Sequence, residues 1–154
     1  MGGDQLAVFN THLDALARGT DTLQKQIQMI KTRLQETDRA SLPWILGGDF
    51  NLLPPDPAAF ARLNASQKRF YDQPSEIAAL MPSYPSVPSW QECSGPENQR
   101  WFTHHPNDRG QTQLDKTIDY IFFSDGIKIQ AHCVRQHDTQ KISDHLPILA
   151  EVKI

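Results

Sequence analysis

WILGGDFNLLPPDP, Trp44 to Pro57, is an apolar run that ends on a carboxylate and an amide one residue apart. Trp44 to Leu46 read as a short strand, and Pro54, Pro55 and Pro57 stop regular structure after it. Asp49 and Asn51 stand at i and i+2, so in extended backbone both side chains point to the same side. The glycines before them allow close approach of a ligand to the backbone. A carboxylate with an amide oxygen suits a hard cation such as Mg²⁺, which keeps several waters and takes only one or two protein carboxylates. Taken alone, the stretch reads equally as a turn closed by an Asx hydrogen bond.

Upstream, Gln5 to Leu13 alternates as a strand, with apolar residues on both sides and with Asn10 and His12 on one of them. Leu23, Ile27, Ile30 and Leu34 then recur at helical spacing as one apolar stripe. Asp21 with Gln24 supplies a capping signal for that helix. The first third therefore reads strand, helix, strand, a βαβ-like unit with a helix over one face of the sheet. Asp56 before Pro57 starts a short helix through Leu63, and Ser75 with Glu76 starts another through Met81. Met81 to Asn98 carries Pro82, Pro85, Pro88 and Pro96 and reads as mostly irregular, a candidate substrate-side loop.

The last third is β-rich. Arg100–His104, Thr117–Ser124, Ile127–Gln136 and Ile148–Ile154 carry β-branched and aromatic residues. Ser124-Asp125-Gly126 is a hairpin-turn signal that makes the second and third of these antiparallel neighbours. The expected class is α/β or α+β, one domain over residues 1–154 with a mixed sheet.

Composition sets outer bounds. A chain of 154 residues folded as one core buries roughly 70% of its unfolded surface. A net charge of −3 argues against a strong non-specific nucleic-acid binder, which needs a basic face. Arg100, Arg109, Lys116 and Arg135 remain candidates for a local phosphate patch. Cys93 and Cys133 lack metal-ligand spacing and read as free thiols. No apolar run approaches the ~20 residues of a membrane span, no signal-peptide pattern opens the chain, and the compartment is left open.

Four polar groups end or interrupt apolar strands: Asn10 with His12, Asp49 with Asn51, Asp119, and Asp144 with His145. Each costs a few kcal/mol unless partnered, and the simplest common use is one site. Asp119, inside Thr117-Ile118-Asp119-Tyr120-Ile121-Phe122-Phe123, calls for a charged partner, for which a histidine is suited. Asp144-His145 offers a carboxylate beside an imidazole that carries a proton near neutral pH. The segment from Arg100 to Gly110, with Trp101, His104 and His105, is a further candidate for the substrate side.

NTHLD, GGDFN, IDYIFF and SDHLPI, in this order from about Leu6 to Val152, resemble the endonuclease/exonuclease/phosphatase superfamily of DNase I-like, metal-dependent phosphoesterases. The resemblance implies a two-sheet sandwich flanked by helices. It implies Mg²⁺ or Mn²⁺ as cofactor and a phosphoester substrate: nucleic acid, lipid head group or small phosphodiester. It assigns Asp49 to orienting or deprotonating the attacking water, and Asn51 to positioning that water or the phosphate near the metal. Asp144 becomes a metal-side ligand, His145 a phosphate contact or proton-transfer group, Asp119 the carboxylate that orients His145, and His12 a donor to a phosphoryl oxygen.

The chain departs from the family pattern at its start. In the family an asparagine-bearing strand and a metal-binding glutamate precede the NTH strand, whereas Glu36, Glu76, Glu92, Glu97 and Glu151 all follow it. The chain thus resembles a C-terminal portion of the catalytic domain. The expectations are a bare apolar sheet surface, a homodimer or swapped assembly that covers it, and little activity from the isolated chain. The alternative is a truncated, non-catalytic interaction module, but such a module has no physical reason to keep costly buried polar groups.

Overall fold

The computed structural model describes residues 5–106 and 113–154. The chain runs β1 (Ala7–His12), α1 (Thr22–Arg39), β2 (Trp44–Asp49), α2 (Pro57–Arg62), β3 (Ser86–Val87), α3 (Trp90–Ser94), β4 (Asp119–Phe123), β5 (Lys128–Val134) and β6 (Ile148–Lys153). Turns of 3₁₀ helix lie at Gln67–Phe70, Glu76–Ala79 and Asn98–Trp101.

The expected strand–helix–strand unit is present. β1 and β2 pair in parallel, with α1 as the crossover. Leu23, Ile27 and Leu34 of α1 are buried in one cluster with Trp44, Leu46, Phe50, Tyr120 and Phe122. Each such side chain contributes about 1.5–3 kcal/mol by leaving water. The Asp21–Gln24 cap does not form: the Asp21 side chain caps nothing and pairs with Lys25 at 2.7 Å. Asp56 does cap α2, accepting from the Ala58 amide at 3.0 Å. The helix expected after Ser75 shrinks to a 3₁₀ turn, because the Ser75 hydroxyl donates to the Leu53 carbonyl instead of capping.

Two further expectations are corrected. The loop from Met81 to Asn98 is not wholly irregular: it holds β3, paired to β4, and α3, started by a capping box between Ser89 and Glu92. Arg100–His104 is not a strand; it begins in a 3₁₀ turn, and His104 makes isolated bridges to Lys116 and His145.

The pairing of β4 with β5 is also corrected. β4 lies between β2 and β3 in a sheet of order β1-β2-β4-β3, and β5 pairs only with β6 in a second sheet. The turn at Ser124 is tied to β2, its amide donating to the Trp44 carbonyl while its hydroxyl accepts from the Trp44 amide, both at 3.0 Å. Gly126, at φ +96, then turns the chain so that Ile127 buries against Val87 and Phe123. The chain crosses to the other layer of a sandwich. Ile129, Ile148 and Val152 pack back onto Ile45 and Ile121 of the first sheet. Further along that face, β1 is uncovered, with Val8 72% exposed.

Gly48 answers to packing. A β-carbon there would sit 1.9 Å from the Thr11 carbonyl oxygen of β1. Gly47 faces Ile121, whose nearest atom a β-carbon would meet at 3.8 Å. Gly48→Ala should therefore cost about 3 kcal/mol or more, because backbone must move. Gly126→Ala, with nothing within 4 Å, should cost only about 1 kcal/mol for its positive φ. Urea denaturation monitored by circular dichroism reads both; equal losses from the two substitutions would overturn the packing account.

Candidate active site

The register of the first sheet puts three of the expected polar residues in one line. His12 of β1 is the partner of Asp49 in β2, and Asp49 is the antiparallel partner of Asp119 in β4. Like charges directly opposite one another on neighbouring strands repel, so this pair requires compensation. It comes from the loop before β6. His145 bonds through Nδ1 to the two Asp119 oxygens at 3.0 and 3.1 Å, and its Nε2 lies 3.8 Å from Asp49 Oδ2. His12, largely exposed, approaches the same oxygen at 3.5 Å.

Asp49 is held on its other side by the turn. Its Oδ1 accepts from the Asn51 amide at 2.8 Å, and Asn51 Nδ2 donates to Asp49 Oδ2 and to the Leu13 carbonyl. Asn51 takes a left-handed conformation, φ +50, which an asparagine tolerates. The Asx turn and the polar site are thus the same feature. Asn10 lines the cleft above this line of residues, a space of about 310 Å³ bordered by Gly47, Asp119 and Leu146.

The electrostatics follow from burial and from this crowding. Burial raises the Asp49 carboxyl above its ordinary range; the Asn51 amide opposes the rise and the Asp119 charge adds to it. The hydrogen bond that His145 donates to Asp119 raises the imidazole above its ordinary value of 6.5, against the opposing effect of burial.

A second polar group adjoins the first. Segment 103–105 is laced between 115–117 and 144–146: the His104 amide donates to the Lys116 carbonyl, the Asp115 amide to the His104 carbonyl, and the His105 amide to the Asp144 carbonyl. This places His104 edge-on to His145, ring centres 5.0 Å apart. His104 Nδ1 lies 3.4 Å from Asp115, whose two oxygens accept from Lys116 Nζ at 2.9 Å. Burial alone would raise Asp115, but the bonds from His104 and Lys116 outweigh it and hold the carboxyl below its ordinary range.

Asp144 is grouped with His104 and His145, whereas Asp49 is grouped with Asp119 and His145. Of the expected set of Asp144, Asp49 and Asn51, the two carboxylates thus fall in separate groups that share His145. Of the four residues named for a basic patch, the three that are described each pair with a carboxylate. Lys116 is buried on Asp115, Arg135 pairs with Asp138, Arg100 pairs with Glu97, and Arg109 lies outside the described residues. Asp115 carried no signal in the sequence beyond its place one residue before Lys116. His104 was visible only as one of two adjacent histidines.

With this geometry the comparisons with known proteins have a clear meaning. The profile of the Endonuclease/Exonuclease/phosphatase family matches residues 12–145. The chain belongs to this family. Members are phosphoesterase-type hydrolases that are generally metal-dependent. The structure is similar to an AP endonuclease from Archaeoglobus fulgidus, with TM-score 0.67 and 15% identity over 97% of this chain and 62% of that one. It is similar to the mannosyl-6-phosphatase of Bacteroides thetaiotaomicron VPI-5482, with TM-score 0.57 and 19% identity over 96% of this chain and 51% of that one. The human Nocturnin catalytic domain, solved with a bound sulfate anion, gives 0.55 and 20% over 94% and 45%. At these identities the likeness is one of fold, and it is DNase I-like as expected. The chain spans 62% or less of the length of these three proteins. No curated protein matches it.

Because the folded-state value of His145 lies above 6.5, its contribution to stability is fully present below that pH. The contribution is lost as pH rises through the folded value. Asp119→Asn should lower the His145 pKa and reduce this pH dependence. Histidine NMR titration of the metal-free protein reads it; an unchanged His145 titration would show that the Asp119 contact is not made.

Proposed function

We propose that the chain carries the water-activating and phosphate-facing part of a metal-dependent phosphoester hydrolase centre, with Mg²⁺ or Mn²⁺ as its ion. The observation that carries the reading is the Asp49–Asp119 pair, opposed in register and bridged by His145. Two half-buried carboxylates that repel one another, beside an amide oxygen, suit a small divalent cation. Asp49 and Asn51, with Asp119, would hold it. When bound, the ion supplies positive charge to the phosphoryl oxygens and lowers the pKa of a bound water.

The protein groups then divide the remaining work. Asp49, beside the Asn51 amide at the strand end, orients the attacking water or accepts its proton. Asp119 fixes the His145 ring and favours its protonated form. His145 presents Nε2–H toward the phosphoryl oxygens, where negative charge grows as water attacks in line. His12, exposed at the mouth beside Asp49, gives a second donor to the same oxygens.

The leaving group has room on the far side of Asp115. A groove of about 710 Å³ there is lined by Gln67, Gln99, Gln136, Arg62 and Phe102. Arg62 stacks over Phe102 at 5.8 Å and pairs with no carboxylate among the described residues. Amides and an unpaired guanidinium favour a polar phosphodiester over an apolar lipid tail.

None of the glutamates named from the sequence stands at this centre: Glu92 is bound to His132, Glu97 to Arg100 and Glu36 to Arg33. The assay uses the protein with bis-p-nitrophenyl phosphate as substrate. Hydrolysis should require Mg²⁺ or Mn²⁺, fall by about 10³-fold or more in Asp49→Ala and His145→Ala, and fall about 10–100-fold in Asp119→Asn. If neither metal binding nor hydrolysis depends on Asp49, the enzyme reading fails.

The exposed Val8 on β1 and Leu6 just before it support self-association of this chain, as a homodimer or swapped assembly. Sedimentation velocity should give a dimer that Val8→Lys dissociates; a well-folded monomer removes the assembly.

A further inference from the structure

We propose that Arg62 is a specificity-determining residue: its guanidinium holds a second phosphate group of the substrate in the groove beside Asp115, so the preferred substrates carry two phosphates. The first phosphate is the one that the hydrolase reading places at His145, and the second-phosphate site rests on that reading. The charged side chains that line the groove are Arg62, Arg100 and Asp115. Two of the three are already compensated. Arg100 pairs with Glu97 at 2.9 Å, and both Asp115 oxygens accept from Lys116 Nζ at 2.9 Å. Arg62 enters no ion pair among the described residues, so it leaves the groove with net positive charge in a chain whose formal net charge is −3. The rest of the centre, with Asp49, Asp119 and Asp144 around His145, has the opposite sign.

The guanidinium is also held in place. Arg62 is the last residue of α2, and its guanidinium carbon lies 5.8 Å from the centre of the buried Phe102 ring. A cation over an aromatic face is attracted to it and loses less freedom when a ligand arrives. A guanidinium presents paired N–H donors that match two oxygens of a phosphate, which an amide cannot do. The groove adjoins the reacting centre through one shared residue. Asp115 lines it and lies 3.4 Å from His104 Nδ1, and the His104 ring stands 5.0 Å from that of His145. A substrate that crosses this wall meets His145 on one side and Arg62 on the other. Its room there, about 710 Å³, accommodates a sugar or similar polar linker as well as the phosphate.

Titration calorimetry with thymidine 3′,5′-bisphosphate and thymidine 5′-monophosphate, each with and without Mg²⁺, tests the site apart from turnover. The bisphosphate should bind about 10–100-fold more tightly than the monophosphate. Arg62→Ala should erase that preference and leave monophosphate affinity within about threefold. Arg62→Gln, whose stem still covers Phe102, should erase it equally, and Arg62→Lys should regain only part of it, since the charge returns without the fork. Hydrolysis of bis-p-nitrophenyl phosphate, which has one phosphate, should stay within about threefold in Arg62→Ala. A short oligothymidylate identifies the source of the second phosphate. If it is a nucleic-acid backbone, Arg62→Ala also weakens the oligomer and reduces the slope of log affinity against log salt by about 0.7; if it is a small bisphosphate, only the thymidine ligand responds. Equal weakening of bisphosphate and monophosphate, or no preference in the unmodified protein, overturns the site. Asp49-dependent hydrolysis without an Arg62-dependent preference removes the second-phosphate site and leaves the hydrolase reading. An Arg62-dependent preference without hydrolysis removes the hydrolase reading and leaves the anion site.

Discussion

The structure depends on one electrostatic conflict: Asp49 and Asp119 face each other across neighbouring strands, both mostly buried. At a separation of about 4 Å and an effective dielectric near 20, two such charges repel by about 4 kcal/mol, a large share of a small domain's net stability. The surrounding apolar strands hold them there anyway. On the opposite face of β2 and β4, Trp44, Leu46, Tyr120 and Phe122 are all at or below 2% exposure. Strands anchored so firmly on one face can carry strain on the other. His145 relieves part of it, and burial of Asp49 and the bond from His145 to Asp119 push both Asp49 and His145 above their ordinary values.

That conflict also explains the path of the last third of the chain. His145 must arrive over Asp119 from outside the first sheet. It does so because β5 leaves for the second layer and the 144–146 segment returns beside 103–105, where the Leu146 amide donates to the Thr103 carbonyl at 2.7 Å. Had β5 paired back onto β4, it would have occupied the edge that β3 takes. The sandwich is thus the geometry that lets a loop between β5 and β6 deliver an imidazole to a strand of the other sheet.

Much of this was legible in local patterns. The helical stripe of α1, the strands around Asn10 and Asp49, and the mismatch of polar residues in apolar strands all follow from spacing alone. The partner expected for Asp119, a histidine, is what the structure places there. What stayed hidden depends on pairing between distant segments. Ser124-Asp125-Gly126 looks the same whether the chain folds back or crosses layers; the difference lies in Ile127, whose burial against Val87 and Phe123 no turn rule encodes. The Lys116–Asp115–His104 chain is hidden for a related reason. Lys116 and Asp115 are adjacent in sequence and would usually face water, and only the ladder with 103–105 turns them inward. The capping box at Ser89 and Glu92 was readable, and was masked by the prolines around it.

The placement of charge bears on why an acidic chain belongs in a family that acts on phosphoesters. Asp49, Asp119 and Asp144 surround His145, so an anionic substrate approaching the bare centre meets carboxylates before it meets donors. Each close like-charge contact is unfavourable by about 1–4 kcal/mol between bulk-water and surface dielectrics. The protonated His145 and the exposed His12 offset part of this, but two imidazoles do not balance three carboxylates. A bound divalent cation would offset the negative charge that remains. On this physical ground, the metal dependence general in the family has an electrostatic origin at the stage of substrate approach: carboxylates packed this closely repel an anion until a cation offsets them.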